Sequence, residues 1–227
     1  MTLSSGTPGL IGLLETWSAI EVRPTRPDWA LHWSAWLGPL DAIALGSALP
    51  AIAKAAKPVA PRTAHEPDLS QALQQLRGDL TGFIRQQPVR QVPAQVRVAG
   101  IAQTVPQPTE DEDYGSYRQR YLDIQRRMEL RIGPFRQHCR QVLARTSPRL
   151  SQLAQMDATL EDMLGERALV LLGKLSALLE RRFHRYCQDE ALSIAAFEQD
   201  FHDALVAELH FRLEPVTGLV EAWQTGA

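Results

Sequence analysis

From residue 114 onward, apolar positions recur every three or four residues. Tyr114, Tyr117, Tyr121, Ile124, Met128, Ile132, Phe135, Cys139 and Val142 trace one face of a long helix. The acidic run Glu110–Asp113 stands just ahead of them, where negative charge favours the positive end of a helix dipole. Gly133–Pro134 interrupts the helix, yet the stripe keeps its phase across the proline, which predicts a kink and not a break. Ser147–Pro148 then supplies an N-cap followed by a proline at the first helical position. Beyond it Leu150, Leu153, Leu160, Leu164, Leu171, Leu175, Leu178 and Phe183 carry an apolar face to Cys187. A helix of that length spans about 60 Å at 1.5 Å per residue, so the chain must double back at 146–147 as an antiparallel hairpin. A third helix is predicted from near Ser193, with Ile194, Phe197, Phe201, Leu205 and Leu209 on one face and Pro215 as its stop.

The first half is more broken, holding twelve of the fifteen prolines before residue 109. Leu10, Leu13, Leu14 and Trp17 sit at helical spacing. Asp28 can cap a second helix bearing Trp29, Trp33 and Trp36, stopped by Gly38–Pro39, and Leu40 to Ala53 forms a third apolar segment. Leu69, Leu73, Leu76, Leu80 and Phe83 form a heptad seam. Nothing alternates long enough to predict a sheet. The expected fold is all-α. It comprises a small N-terminal helical subdomain (1–53), a linker (54–67), an amphipathic helix (68–87), a Pro-rich and acidic linker (88–113), an antiparallel coiled-coil helical domain (114–214) and a C-terminal tail (215–227).

Composition narrows the function classes. Apolar residues make up 44% and charged residues 22%, and the net charge of −2 is not that of a nucleic-acid binder as a whole. Two cysteines supply neither a disulfide scaffold nor a four-cysteine zinc site. The first 22 residues carry no Lys or Arg, and the run Leu10–Leu14 is too short for a signal-peptide core. The stretch Trp29–Ala53 is interrupted by His32, Pro39, Asp41 and Pro50, which argues against a spanning helix. These features point to a cytoplasmic protein.

Charge segregation is the sharpest feature. Residues 118–149 hold nine arginines against Asp123 and Glu129, a local +7, whereas 186–227 hold eight acids against Arg212, a local −7. On a helical wheel Arg120, Arg127 and Arg131 flank the apolar stripe on one side, and Arg118 and Arg136 on the other. Flanking arginines suit pairing with an acidic helix, within the chain or on a partner, with Glu198, Asp200, Asp203 and Glu208 as the internal candidates. Arg118, Arg120, Arg127, Arg131 and Arg136, together with Trp29, Trp33 and Trp36, are therefore the candidate partner-binding residues. The alternative is a nucleic-acid-binding regulator that uses the Arg-rich helix 118–149 with Tyr114, Tyr117 and Tyr121 as stacking residues. A more distant alternative places the Trp helix on a membrane surface.

His138, His184, His202 and His210 with Cys139 and Cys187 could suggest a metal. In the hairpin, however, Cys139 faces about residue 155, about 48 Å along the helix from Cys187. No nucleotide-binding, hydrolase or metalloprotease motif is present. The expectation is no catalytic, cofactor or metal residue, and a protein that is not an enzyme.

The run from Tyr117 to Arg136, the segment from Ser147 to Phe183, and WLGPLDAIALGSAL from Trp36 to Leu49 resemble an uncharacterised family of Gram-negative bacterial proteins designated only as a domain of unknown function. The resemblance covers most of the chain outside the two linkers. It implies genes lying beside those of a stator-like (TolQ/ExbB-like) proton-channel protein and an OmpA-like protein, and hence a cytoplasmic accessory of an envelope complex, peripheral to the inner membrane. The expected function is a non-enzymatic helical adaptor or assembly protein with a protein partner, with homo-oligomerisation left open.

Overall fold

Several helices begin where the sequence supplies a cap. Asp68 Oδ1 accepts hydrogen bonds from the backbone N–H groups of Ser70 and Gln71 at 3.0 and 3.1 Å. Ser147, in an extended conformation, accepts from Leu150 N–H at 3.1 Å, with Pro148 at the first helical position. Gly38 N–H donates to Asp41 Oδ2 at 2.8 Å, ahead of Pro39. In this computed structural model, residues 9–18, 38–55, 68–86, 110–189 and 194–226 are described. They form α1 (Leu10–Ser18), α2 (Pro39–Lys54), α3 (Leu69–Gln86), α4 (Glu110–Thr146), α5 (Pro148–Gln188) and α6 (Ile194–Thr225). Among the described residues there is no strand, and the class is all-α. The Trp29, Trp33 and Trp36 segment and the expected linker cores lie outside the described residues.

α4 and α5 form the expected hairpin, turning at Ser147. α6 runs back along α5, bringing Asp200 to Arg182. α3 runs antiparallel to α4, with Asp79 beside Arg131 and Phe83 beside Arg127. Between them lies one hydrophobic core to which α3 gives Leu69, Leu73, Leu76, Leu80 and Ile84, and α4 gives its tyrosines, Ile124, Met128, Ile132, Cys139 and Leu143. Each buried side chain of this size contributes about 1.5–3 kcal/mol. α1 and α2 dock separately. Leu13 of α1 enters the core beside α6, and Trp17 lies under the Arg182 guanidinium at 4.7 Å. α2 lies antiparallel on α5, pinned at one end by Arg167 to Asp41 (2.6 and 3.0 Å) and at the other by Ser151 Oγ donating to the Ala55 carbonyl at 2.7 Å.

The structure departs from the sequence reading in several places. Pro215 does not stop α6, which continues to Thr225, so the expected 215–227 tail is mostly helix. A helix-interior proline costs about 3 kcal/mol, and here Val216, Leu219 and Val220, all buried just beyond it, outweigh that cost. The real terminator is Gly226, whose φ of 68° is the left-handed conformation that glycine favours. The α3 seam ends on Ile84, with Phe83 at its rim. In the second half of α5 the buried positions are Leu172, Leu175, Leu179 and Phe183, whereas Leu171 is exposed and Leu178 half-buried. No residue of α5 between 155 and 171 is fully buried.

Candidate interaction surface

The arginines of α4 act mostly within the fold. At the hairpin tip Arg136 binds Asp157 (2.5 and 2.9 Å) and Glu161 (2.9 Å). Arg140 joins the same two acids at 2.7 and 2.6 Å, forming a four-residue charge cluster between α4 and α5. The two carboxylates favour the charged guanidinium of Arg140 and raise its pKa against the opposing pull of burial. On the other flank Arg131 pairs with Asp79 at 3.0 Å, and the Arg127 guanidinium lies 3.9 Å from the centre of the Phe83 ring. Arg120 is buried, donating to the Ile84 carbonyl at 3.1 Å and to His202 Nε2 at 2.9 Å. Of the five candidate arginines Arg118 and Arg127 are exposed, and among the described residues Arg127 is held by its ring contact alone.

Of the five candidates Arg131 and Arg136 meet acids, as Arg140 also does, but not the expected ones. Asp157, Glu161 and Asp79 are their partners, while the acids of α6 have other roles. Glu198 accepts from the Tyr117 hydroxyl at 3.3 Å, and Asp200 binds Arg182 and the Tyr186 hydroxyl. Asp203 accepts from Gln199. The reason is the path of the chain: α6 runs along the tyrosine side of α4, and the Arg flanks face α3 and α5.

Glu208 has the most distinctive environment. It is wholly buried, accepting from the Tyr121 hydroxyl (2.7 Å), Gln125 Nε2 (2.9 Å) and Arg212 Nε (2.8 Å). Arg212 also reaches Glu129 at 3.5 Å. Every member of this network has a partner, which is what keeps a buried carboxylate tolerable. Burial, reinforced by the Glu208 charge, pushes the Tyr121 hydroxyl far above the usual phenol range. Sequence reasoning offered Glu208 as a pairing partner for the flanking arginines of α4, whereas its arginine partner is Arg212 of its own helix. Its position three residues after Leu205, in phase with Phe197 and Phe201, was the readable signal of an acid inside the apolar stripe.

The three tyrosines offered as stacking residues are not available for stacking. Tyr114, Tyr117 and Tyr121 are buried against Phe183, Phe197 and Phe201, with Tyr117 edge-on to Phe197 at 5.0 Å and to Phe201 at 5.4 Å. Cys139 is buried and its thiol is pushed up to about 11, chiefly by desolvation. No group of three or more His, Cys, Asp or Glu side chains converges as a metal site among the described residues. No described helix is long and apolar enough to cross a membrane.

The surface feature that the sequence reading missed is apolar. α2 carries no charged residue from Ala42 to Ala53, and its Ile43 and Leu49 are 68% and 56% exposed. One turn beyond Arg167, the α5 residue that holds Asp41, come Leu169, Val170 and Leu171, all exposed.

Residues 2–225 match the profile of the family described as Protein of unknown function (DUF3348), and the chain belongs to that family. Neither the curated proteins nor the solved structures include a significant match.

Proposed function

We propose that this member of the DUF3348 family is a non-enzymatic helical adaptor, whose partner sits on the outer face of α2 and the adjoining middle of α5. The carrying observation is the uncharged, exposed run of α2, together with the exposed Leu169–Leu171 that follow its anchor Arg167 on α5. Single exposed apolar residues are ordinary, but a helix that carries no charge from Ala42 to Ala53 and exposes Ile43 and Leu49 suits a protein contact. A face without charges suits the apolar stripe of a partner helix. The finer reading, an accessory of a stator-like inner-membrane complex, rests on the family resemblance and its implied gene neighbours. The nucleic-acid alternative is weakened because its tyrosines are buried and most of its arginines engaged inside the fold.

The test is a photo-crosslinking residue placed at Leu49 or Val170 in the native host. The expected result is a crosslink from both positions to one other protein, mapping to an apolar segment and lost in Ile43→Asp with Val170→Asp while helicity by circular dichroism is kept. Crosslinking to a second copy of the chain, or no crosslink from either position, would overturn the adaptor reading. So would micromolar DNA or RNA binding at about 150 mM salt that Arg127→Glu with Arg131→Glu abolishes.

A further inference from the structure

Three helices meet where Arg120 is buried. Its Nη2 donates to the Ile84 carbonyl of α3 and to His202 Nε2 of α6, while its Nε and Nη1 have no hydrogen-bond partner. The ring of Phe201 lies 5.3 Å from the guanidinium carbon. No carboxylate pairs with this guanidinium; Glu198 acts on it only through space. An arginine remains charged at any ordinary pH, so His202 must be the neutral partner. Arg120 can only donate, so Nε2 accepts from it at 2.9 Å and the proton of the neutral ring sits on Nδ1.

We propose that the Arg120–His202 pair is an acid-sensitive latch, whose protonation at His202 Nε2 unfastens the C-terminal turn of α3 and the start of α6 from α4. A proton on Nε2 replaces the acceptor with a donor and sets an imidazolium 2.9 Å from a guanidinium. Arg120 then keeps only the Ile84 carbonyl. The groups facing His202 are few. α4 presents Arg120, with Tyr117 beside it; α6 presents Glu198 and Asp203; from α3 comes the Ile84 carbonyl, with Arg85 next to it exposed to solvent. Burial first, and then Arg120, hold the His202 pKa below its ordinary value; Glu198 and Asp203 oppose this without reversing it. A histidine whose folded pKa is depressed contributes stability that is fully present above its unfolded pKa of about 6.5. That stability is lost as pH falls below it, until the folded value is reached.

Hydrogen exchange of the full chain at pH 7.5 and 5.5 tests the latch, read as protection factors for residues 80–86 and 118–124. The wild type is expected to lose protection there by up to about tenfold per pH unit below about 6.5. His202→Gln keeps an acceptor for Arg120 but cannot titrate, so its protection should be the same at both pH values. His210, also held low by burial and by Arg77, is present in both proteins and drops out of the comparison. Equal acid loss in His202→Gln and wild type overturns the latch. Should that variant fail to fold, an NMR titration of His202 in the wild type decides: a midpoint well below 6.5 supports the latch, and one at or above 6.5 overturns it. This outcome is independent of any partner on α2.

Discussion

Arg136 Nη2 lies 2.5 Å from Asp157 Oδ1, with 15% and 12% of the two side chains exposed, whereas the Arg131–Asp79 pair is about half exposed on both sides. The difference decides what each pair contributes. Water screens the second pair, and such pairs contribute about 0–1 kcal/mol. Asp157 is shielded and shared by two arginines, so removing it strands two cations with only Glu161. Asp157→Ala is expected to cost about 2–4 kcal/mol in urea denaturation. Asp79→Ala should cost less than about 1 kcal/mol. Equal costs would show that the hairpin-tip cluster is as solvated as a surface pair.

The Glu208 network predicts a graded series. Tyr121→Phe removes one donor but leaves Glu208 with Gln125 and Arg212, for an expected loss of about 1–2 kcal/mol. Glu208→Ala strands Arg212, Gln125 and the Tyr121 hydroxyl together, and the expected loss is about 3–5 kcal/mol. Denaturant melts of the two variants check the order. A smaller loss for Glu208→Ala than for Tyr121→Phe would show that the carboxylate is a burden on the fold.

The two thiols should differ in reactivity. Cys139 is fully buried, and at pH 8 its thiol, raised to about 11, is almost wholly protonated, while Cys187 is partly exposed. A thiol reagent at pH 8 is expected to modify Cys187 first, with Cys139 reacting only as fast as the protein opens. The sign of the linkage follows from the raised value. The Cys139 contribution is intact below its unfolded pKa and is lost as pH climbs toward 11. Labelling of Cys187→Ser and Cys139→Ser separately measures both rates.

What the sequence disclosed was local. The α4 seam from Tyr114 to Cys139 is buried as its spacing required, save the half-buried Phe135, and Ser147–Pro148 turns the hairpin because cap and fixed φ act within four residues. What it hid depends on which helix lies beside which. The wheel placed Arg120, Arg127 and Arg131 together on one flank, yet α3 contacts one by a carbonyl, one by a ring and one by a carboxylate. Three chemically identical residues acquire three roles from their distance to the core. The apolar surface was hidden for a related reason. Leu171 lies in helical phase with Leu175 and Leu164, yet the fold leaves it exposed while Leu175 is buried.

Pro215 gives the most discriminating pair of experiments, because the two changes should act in opposite directions. It lies exposed inside α6 and cannot donate to the Phe211 carbonyl, so Pro215→Ala restores one helical hydrogen bond and relieves the ring's clash with the preceding turn. Greater freedom of the unfolded chain offsets part of the gain. The net expectation is about 1–2 kcal/mol of stabilisation and a higher Tm. Ending the chain after Glu214 removes Val216, Leu219 and Val220, which are buried, and the contacts of Thr217 with Arg77 and of Gln224 with Ser70. Three side chains at about 1.5–3 kcal/mol each is comparable to the 5–15 kcal/mol that holds an ordinary domain together. The truncated chain should therefore lose the hydrogen-exchange protection of α3, which packs against this end of α6. A truncation that leaves α3 protected would mean that α6 beyond Pro215 adds length without stability.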